Sequence, residues 1–316
     1  MLLILSSELD LAADFLIARL IERRLPYQRL NAEELHWRGG TYEIGAGSAL
    51  RCLKATDGTR IDLDDVSTVW YRRALHARAS STVDEGLRSF VIGEIRHFWE
   101  GALMAGQAQW VNPMDKVAVA EHKLFQLLVA SEIGFVVPRT LVSSDCADLT
   151  KFVEEHSPVI CKPVYHGLVV EREARFSAYT RRVVIEDLKD ADSIAVSPVL
   201  LQQEVPRQAD LRITFIGDAV FAVRIQSDEA GMVDWRKPGG HLTYTPFILD
   251  GAVEARCRAM LKHLGLVYGA FDFVEDAGGV PVFLEVNPTG EWAWLEDLLG
   301  LPMRDAFIDL FFGQAK

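Results

Sequence analysis

Apolar residues fall along this chain in two kinds of burst. Some are continuous over a few positions, as in LLIL (2–5), the signature of a strand buried on both faces. Others recur at helical spacing, as in DLAADFLIARLIERRL (10–25), which predicts a helix ending before Pro26. With YQRLN (27–31) as the next strand, the chain opens β-α-β, the start of a parallel sheet. HWRGGTYEIG (36–45) and CLKATDGTRIDL (52–63) carry Gly-Gly and Asp-Gly turns and read as hairpins. STVWYRRA (67–74) is a strand ending in two arginines, residues 83–106 form a long helix, and QWVNP (109–113) closes the unit. A boundary is expected near Asn112-Pro113.

The second half has a different rhythm. One helix is expected over MDKVAVAEHKLFQLLVASEIG (114–134), stopped by Gly134. Strand 135–143, helix 146–156 and strand PVICKPV (158–164) follow, then a mix of turns and short strands over 165–187. VLLQQEVP (199–206) is a strand stopped by Pro206. DLRITFIGDAVFAVRIQS (210–227) is a hairpin turning at Gly217-Asp218, and 251–265 is a helix. A last hairpin, VYGAFDFVE and VPVFLEV around DAGG, precedes two closing helices. The pattern predicts an α/β unit over 1–112 and a mixed, largely antiparallel α+β unit over 113–316.

Bulk composition narrows the function more than the fold. At 316 residues, two domains are the natural expectation. The net charge of −12 argues against general nucleic-acid or anionic-membrane binding. Cys52, Cys146, Cys161 and Cys257 are far apart with no C-x-x-C pair, which reads as reduced, structural cysteine and a cytoplasmic location. MLLILSSELD lacks a basic start and reads as a first strand rather than a signal peptide. No apolar run approaches the ~20 residues that span a bilayer. The first strand is not followed by G-x-G-x-x-G, so dinucleotide binding there is unsupported.

Candidate chemistry begins with FLEVNPTGEW (283–292). Strand parity puts Glu285 and Asn287 on one face. If the turn lies between Asp276 and Pro281, Asp272 stands opposite Glu285, Phe273 opposite Leu284, and Phe271 opposite Val286. One face then carries Phe271, Phe273, Val282, Leu284 and Val286 as core; the other carries Asp272, Glu285 and Asn287. Two facing carboxylates repel and call for a cation. Oxygen donors without His or Cys suit Mg²⁺ rather than zinc. The alternative is a hairpin with a solvated polar face.

Lys162 ends a buried strand and either snorkels or faces a site. Lys123, taken alone, reads as a solvent-facing helix charge beside an apolar side of Leu124, Leu127 and Leu128. Gln203, Glu204 and Val205 end a strand whose exposed backbone can meet a purine edge. Arg212 and Arg224 lie in apolar strands and call for anionic partners. A two-residue turn at Gly217-Asp218 sets Arg212 against Val223 and Arg224 against Leu211, on opposite faces. Trp70 to Arg73 read either as part of a peptide groove or, more simply, as a strand-end arginine pair bridging the two units.

Helix Lys123, strand-end Lys162, QQEV, Asp210-x-Arg212, Arg224, FDF (271–273) and EVNP (285–288), in this order, resemble the ATP-grasp superfamily. The match covers roughly 113–316. With VWYRR, VNP, AEHK and FLEVNPTGEWAWLE it looks most like the maturases of ribosomally made peptides, the macrocyclases of microviridin-type peptides (graspetides). The resemblance implies an ATP-grasp fold preceded by a small α/β pre-ATP-grasp domain. It also implies a lid-like subdomain over about 113–200 and a C-terminal subdomain over about 201–316, with nucleotide between them. It implies that Lys123 and Lys162 hold ATP phosphates, that Gln203, Glu204 and Val205 line the adenine largely by backbone, and that Asp210 meets the ribose. Asp272, Glu285 and Asn287 would hold Mg²⁺, and Arg212 and Arg224 would steady the acyl phosphate. The loop after Lys162 departs from the pattern, with Gly167 its one glycine.

The activity so implied is ATP-dependent ligation. The γ-phosphoryl group converts a peptide Asp or Glu into an acyl phosphate, which a Thr, Ser or Lys side chain of the same precursor then attacks. The expected partner is the precursor peptide, leader and core, with no nucleic acid and no membrane; the resemblance also allows a homodimer. Two other readings stay open: a carboxylate–amine ligase acting on a small molecule or a protein terminus, as ribosomal-protein glutamate ligases do, and a non-catalytic peptide-binding protein that keeps the fold.

Overall fold

The structure is a computed structural model and describes residues 1–31, 40–45, 48–54, 58–72, 79–165, 168–171, 174–229, 233–235 and 241–313. His36 to Gly39, Asp57, Arg73 and Gly167, which figured in the expectations above, lie outside these residues.

The chain opens with β1 (Leu2–Ser6), α1 (Leu11–Glu22) and β2 (Tyr27–Asn31). All of β1 is buried, as its continuous apolar run requires. Asp10 caps α1 by accepting from Ala13 N. β3 (Gly40–Gly45), β4 (Ser48–Lys54) and β5 (Arg60–Asp62) form a small antiparallel sheet. β6 (Thr68–Tyr71), α2 (Glu85–Met104) and β7 (Gln109–Val111) complete a parallel sheet of order β2-β1-β6-β7.

The single helix expected over 114–134 is two: α3 (Met114–Ala120) and α4 (Lys123–Ile133). The cause is tertiary. The Gln126 amide donates to Ala120 O at the end of α3, and it exchanges two hydrogen bonds of 2.8 Å with the backbone of Val286. Gln126 is therefore buried, while Leu124 and Leu128 are exposed, the reverse of the expected apolar side.

Next come β8 (Thr140–Ser143), α5 (Cys146–His156), β9 (Val159–Lys162), the hairpin β10 (Leu168–Glu171) and β11 (Ala174–Ser177), β12 (Arg181–Val183), α6 (Ala191–Ala195) and β13 (Val199–Gln203). β12-β9-β13-β8 make an antiparallel sheet. β14 (Arg207–Ile216), β15 (Ala219–Ser227), β16 (Leu242–Pro246), α7 (Gly251–Leu264), β17 (Tyr268–Asp276) and β18 (Pro281–Asn287) follow, then α8 (Ala293–Leu299) and α9 (Met303–Phe312). The five-stranded sheet runs β16-β15-β14-β17-β18, all antiparallel. α4 and α7 bury one core against it, around Phe215, Phe271, Phe273 and Phe283.

A second core runs from β1, α1 and Trp70 to Tyr268, Trp292 and Phe307, so the first parallel sheet and the last helices share one apolar interior. Asn112 stitches the same junction. Its side chain donates to Tyr268 O and Pro288 O, both at 2.8 Å, and accepts from Val267 N and Tyr268 N at 2.8 and 3.1 Å. Trp70 is buried against Phe307 and Phe311, so it is core rather than groove. The four cysteines are free thiols, and no helix among the described residues is long and apolar enough to cross a membrane.

Candidate active site

The register of the last hairpin sets the site. Asp272 pairs with Glu285 and Phe271 with Val286, as parity and the turn predicted. A bulge then shifts the register, so Phe273 pairs with Phe283 rather than Leu284. Phe283 joins the core, Leu284 turns to the open side, and Val282 pairs with Val274. The expected core position Leu284 is thus corrected by one inserted residue, whereas Val282 is buried as expected.

Between this sheet and the β12-β9-β13-β8 sheet lies a cavity of about 620 Å³. Lys123, Lys162, Gln203, Val205, Asp210, Arg212, Asp272, Glu285 and Asn287 all line it. These residues come from α4, β9, β13, β14, β17, β18 and, for Val205, the link between β13 and β14, and only the tertiary fold assembles them.

At one wall, Arg212 Nη1 donates to both oxygens of Asp272 at 2.9 Å, and Asn287 Nδ2 donates to Asp272 Oδ2 at 2.9 Å. Burial acts to lower the Arg212 pKa, but the Asp272 carboxylate beside it raises it on balance, so it stays cationic. Lys123 Nζ lies 3.8 Å from Glu285 Oε2 and donates to Pro163 O at 2.9 Å. The helix break puts Lys123 at the first position of α4, which turns it to the cavity rather than to solvent.

Toward the other sheet, Lys162 Nζ donates to Gln202 Oε1 at 2.8 Å, and Gln202 Nε2 donates to Thr140 Oγ1 at 2.9 Å. Gln203 N–H and Glu204 N–H are committed to Arg139 O and Pro158 O at 2.9 and 2.8 Å. The Glu204 carboxylate turns away from the cavity to Arg182, at 2.6 and 2.7 Å. Asp210 accepts from Arg207 Nη1 at 3.1 Å, and burial pushes its carboxyl up to about 6 against the pull of Arg207.

Arg224 is not among the cavity-lining residues. It pairs with Glu275 on the opposite face of the sheet, as the register Arg212↔Val223 and Leu211↔Arg224 dictates. The register fixes the turn at two residues, which the sequence alone left open, and the expectation that both arginines meet one acyl phosphate conflicts with this separation.

Sequence reasoning missed Gln202, Arg207 and Asp234, which also line the cavity. Gln202 reaches Lys162 diagonally, because Lys162 pairs with Leu200 and the two strands must first be aligned. Glu291 and Trp292, which follow the EVNP stretch, separate cleanly. Trp292 is buried between Phe15 and Phe307, whereas the half-exposed Glu291 lines the cavity.

Asp272, Glu285 and Asn287 fit a hard divalent cation: oxygen donors on one wall, two of them carboxylates in direct register. Among the described residues no group of three or more His, Cys, Asp or Glu could hold a metal ion. This trio would therefore need phosphate and water oxygens to complete a shell.

The comparisons agree with this architecture. Residues 41–118 match the family model described as the MvdD pre-ATP grasp domain. No curated protein matches. Among solved structures, the macrocyclase MdnC of Microcystis aeruginosa MRC, bound with precursor peptide MdnA, is 25% identical with a TM-score of 0.85, covering 98% of this chain and 99% of its own. A Chryseobacterium gregarium RiPP-associated ATP-grasp ligase, in complex with ADP and a leader and core peptide, is 25% identical with a TM-score of 0.88, covering 100% and 97%. The macrocyclase MdnB of Microcystis aeruginosa MRC is 26% identical with a TM-score of 0.81, covering 98% of each. The chain thus has an ATP-grasp fold with a pre-ATP-grasp unit ahead of it, and is most similar to maturases of ribosomally made peptides.

Proposed function

We propose that this chain, an ATP-dependent ligase with the ATP-grasp fold, activates Asp or Glu side chains of a ribosomal precursor peptide and links them to nucleophilic side chains of the same peptide. The carrying observation is one cavity lined by two lysines and by Asp272, Glu285 and Asn287, with Lys123 3.8 Å from Glu285 and Lys162 on the facing sheet. The similar ligases that hold precursor peptides and ADP support the choice of substrate. On this reading, residues 1–112 form the pre-ATP-grasp unit and 113–316 the ATP-grasp unit.

On this reading Lys123 and Lys162, which both line the cavity, hold the ATP phosphates. The hinge Gln203–Val205 meets the adenine mainly through backbone beyond the committed N–H groups of Gln203 and Glu204, and Asp210 meets the ribose. Asp272, Glu285 and Asn287 would hold Mg²⁺, which offsets phosphate charge so that an anionic carboxylate can approach. The substrate carboxylate attacks the γ-phosphorus, the bond to ADP breaks, and an acyl phosphate forms. The acceptor oxygen or nitrogen then attacks the acyl carbon, phosphate leaves, and an ester or amide remains. Arg212 orients Asp272 and places positive charge at the end of the cavity where acyl oxygens gain charge. Arg224 has no part in these steps.

The test is intact-mass analysis of short peptides encoded near this gene after incubation with the protein, ATP and Mg²⁺. One water is lost per linkage, with ADP released. ADP release without any change in peptide mass overturns the reading. Asp272→Asn and Glu285→Gln are expected to abolish turnover; Glu285→Gln leaves the melting curve close to that of the unaltered protein, whereas Asp272→Asn lowers it without preventing folding, because the buried Arg212 loses its carboxylate partner. Normal turnover in both rules out the metal assignment.

A further inference from the structure

The acyl phosphate is only half of a ligation. The acceptor must lose a proton as it attacks, and a group at the cavity must take it. Among the described residues, five acidic side chains line the cavity: Asp210, Asp234, Asp272, Glu285 and Glu291. Four are engaged deep in its walls. Asp210 is held by Arg207, Asp272 by Arg212 and Asn287, and Glu285 faces Lys123. Asp234 is buried and accepts from Thr180 N. Side-chain exposure separates the fifth: 13% for Asp210, 16% for Asp272 and 21% for Glu285, against 48% for Glu291.

Glu291 is exposed yet not loose. Its Oε1 accepts from Arg72 Nη2 at 3.1 Å. Arg72 is itself only 1% exposed. It is fixed by Asp10 at 3.2 Å and donates to Thr289 O and Gly290 O at 3.0 and 3.2 Å. The Glu291 carbonyl accepts from Arg212 Nη2 at 2.8 Å, the same guanidinium that holds Asp272. A carboxylate at the mouth of the cavity is thus braced from behind by a buried arginine of the first unit, and its backbone is tied to the catalytic wall. Holding a surface glutamate this firmly costs side-chain entropy and the desolvation of Arg72. Asp10 and the two loop carbonyls account for the burial of Arg72; the hold on Glu291, whose side chain is half in water, adds little to that packing.

Resting on the peptide-ligase reading, we propose that Glu291 is the catalytic base of the second half-reaction and that Arg72 is its positioning residue. The acceptor is a hydroxyl or amine side chain of the peptide. As its oxygen or nitrogen forms a bond to the acyl carbon, its O–H or N–H bond breaks and the proton passes to the Glu291 carboxylate. The C–O bond to phosphate then breaks, and phosphate leaves with the electron pair. Glu291 has no part in forming the acyl phosphate, so the two half-reactions separate at this residue.

Hydroxylamine makes the separation measurable, because it attacks an acyl phosphate without a base and leaves a hydroxamate on the peptide. Glu291→Gln keeps the shape and an acceptor for Arg72 and removes the base. With ATP, Mg²⁺ and hydroxylamine, its hydroxamate formation stays at the rate of the unaltered protein. Its cross-linking without hydroxylamine falls by about 10²-fold or more, the usual weight of general-base catalysis. Arg72→Lys, which keeps the charge and gives up the fork, lowers cross-linking in the same sense and spares the hydroxamate. Unchanged cross-linking in Glu291→Gln overturns the proposal. So does loss of hydroxamate and cross-link together, which would place Glu291 in the first step or in the fold. If the unaltered protein forms neither product, the peptide-ligase reading fails and this inference falls with it.

Discussion

Gly290→Ala tests how tightly the loop after β18 is built. A Cβ at this position would lie 2.7 Å from the Ala270 Cβ, 3.1 Å from the Asn287 Cβ and 3.1 Å from Arg212 Nη2. Carbon atoms rest at about 3.5–4.0 Å, so a relief of about 1 Å is needed. Ala270 cannot supply it, being fully buried in β17 between β14 and β18. The loop must move instead. Its movement strains the Tyr268 hydroxyl bond to Gly290 O at 2.6 Å, the Arg72 bond to the same oxygen at 3.2 Å, and the Arg212 bond to Glu291 O at 2.8 Å. Overpacking and weakened hydrogen bonds together cost about 2–4 kcal/mol. A displacement of this size beside reacting groups costs about 10²-fold in turnover. The checks are thermal unfolding, ATP affinity and ADP release in the presence of peptide. The melting midpoint and turnover fall, and ATP affinity falls less than turnover, because Lys162 and the hinge lie on the other sheet while Asn287 adjoins the strained loop. A variant with an unchanged melting curve and unchanged turnover would refute the steric reasoning.

Arg212→Met and Arg224→Met should diverge. The first abolishes turnover by freeing Asp272; the second leaves kcat intact and costs at most about 1 kcal/mol of stability, since its partly exposed pair with Glu275 is on the far face. Equal losses of activity would place Arg224 at the site after all. Asp210→Asn should be more stable than the unaltered protein at neutral pH, by no more than about 3 kcal/mol. The sign follows from a carboxyl raised to about 6 by burial, with Asp272 and Asp234 nearby and Arg207 opposing. The folded protein binds that proton more tightly than the unfolded chain. The destabilisation is therefore full above about pH 6 and fades in acid, toward the ordinary carboxylate range. A stability gain that grows on acidification, measured by thermal melts across pH, contradicts it.

Local rules went far here. Continuous and periodic apolar runs located β1, α1, β2, α5 and α7 to within a few residues. A turn between Asp276 and Pro281 with strand parity placed Asp272 opposite Glu285, and a two-residue turn at Gly217-Asp218 offered the opposite faces of Arg212 and Arg224 that the register bears out. These features depend on spacing along one chain segment, where side-chain direction follows directly from backbone geometry. The bulge at Leu284, the break before Lys123 and the burial of Arg72 do not. The first depends on how Phe283 packs against Phe135, Phe271 and Phe273. The second follows from Gln126 reaching across to Val286, and the third from Asp10 and the 289–291 loop converging on one guanidinium. By itself the sequence determined the order of most elements and that Asp272 and Glu285 share one strand face. The tertiary structure decided which strand faces meet across one cavity, because a buried charge or amide goes where distant groups can satisfy it, and no local periodicity records where those groups are.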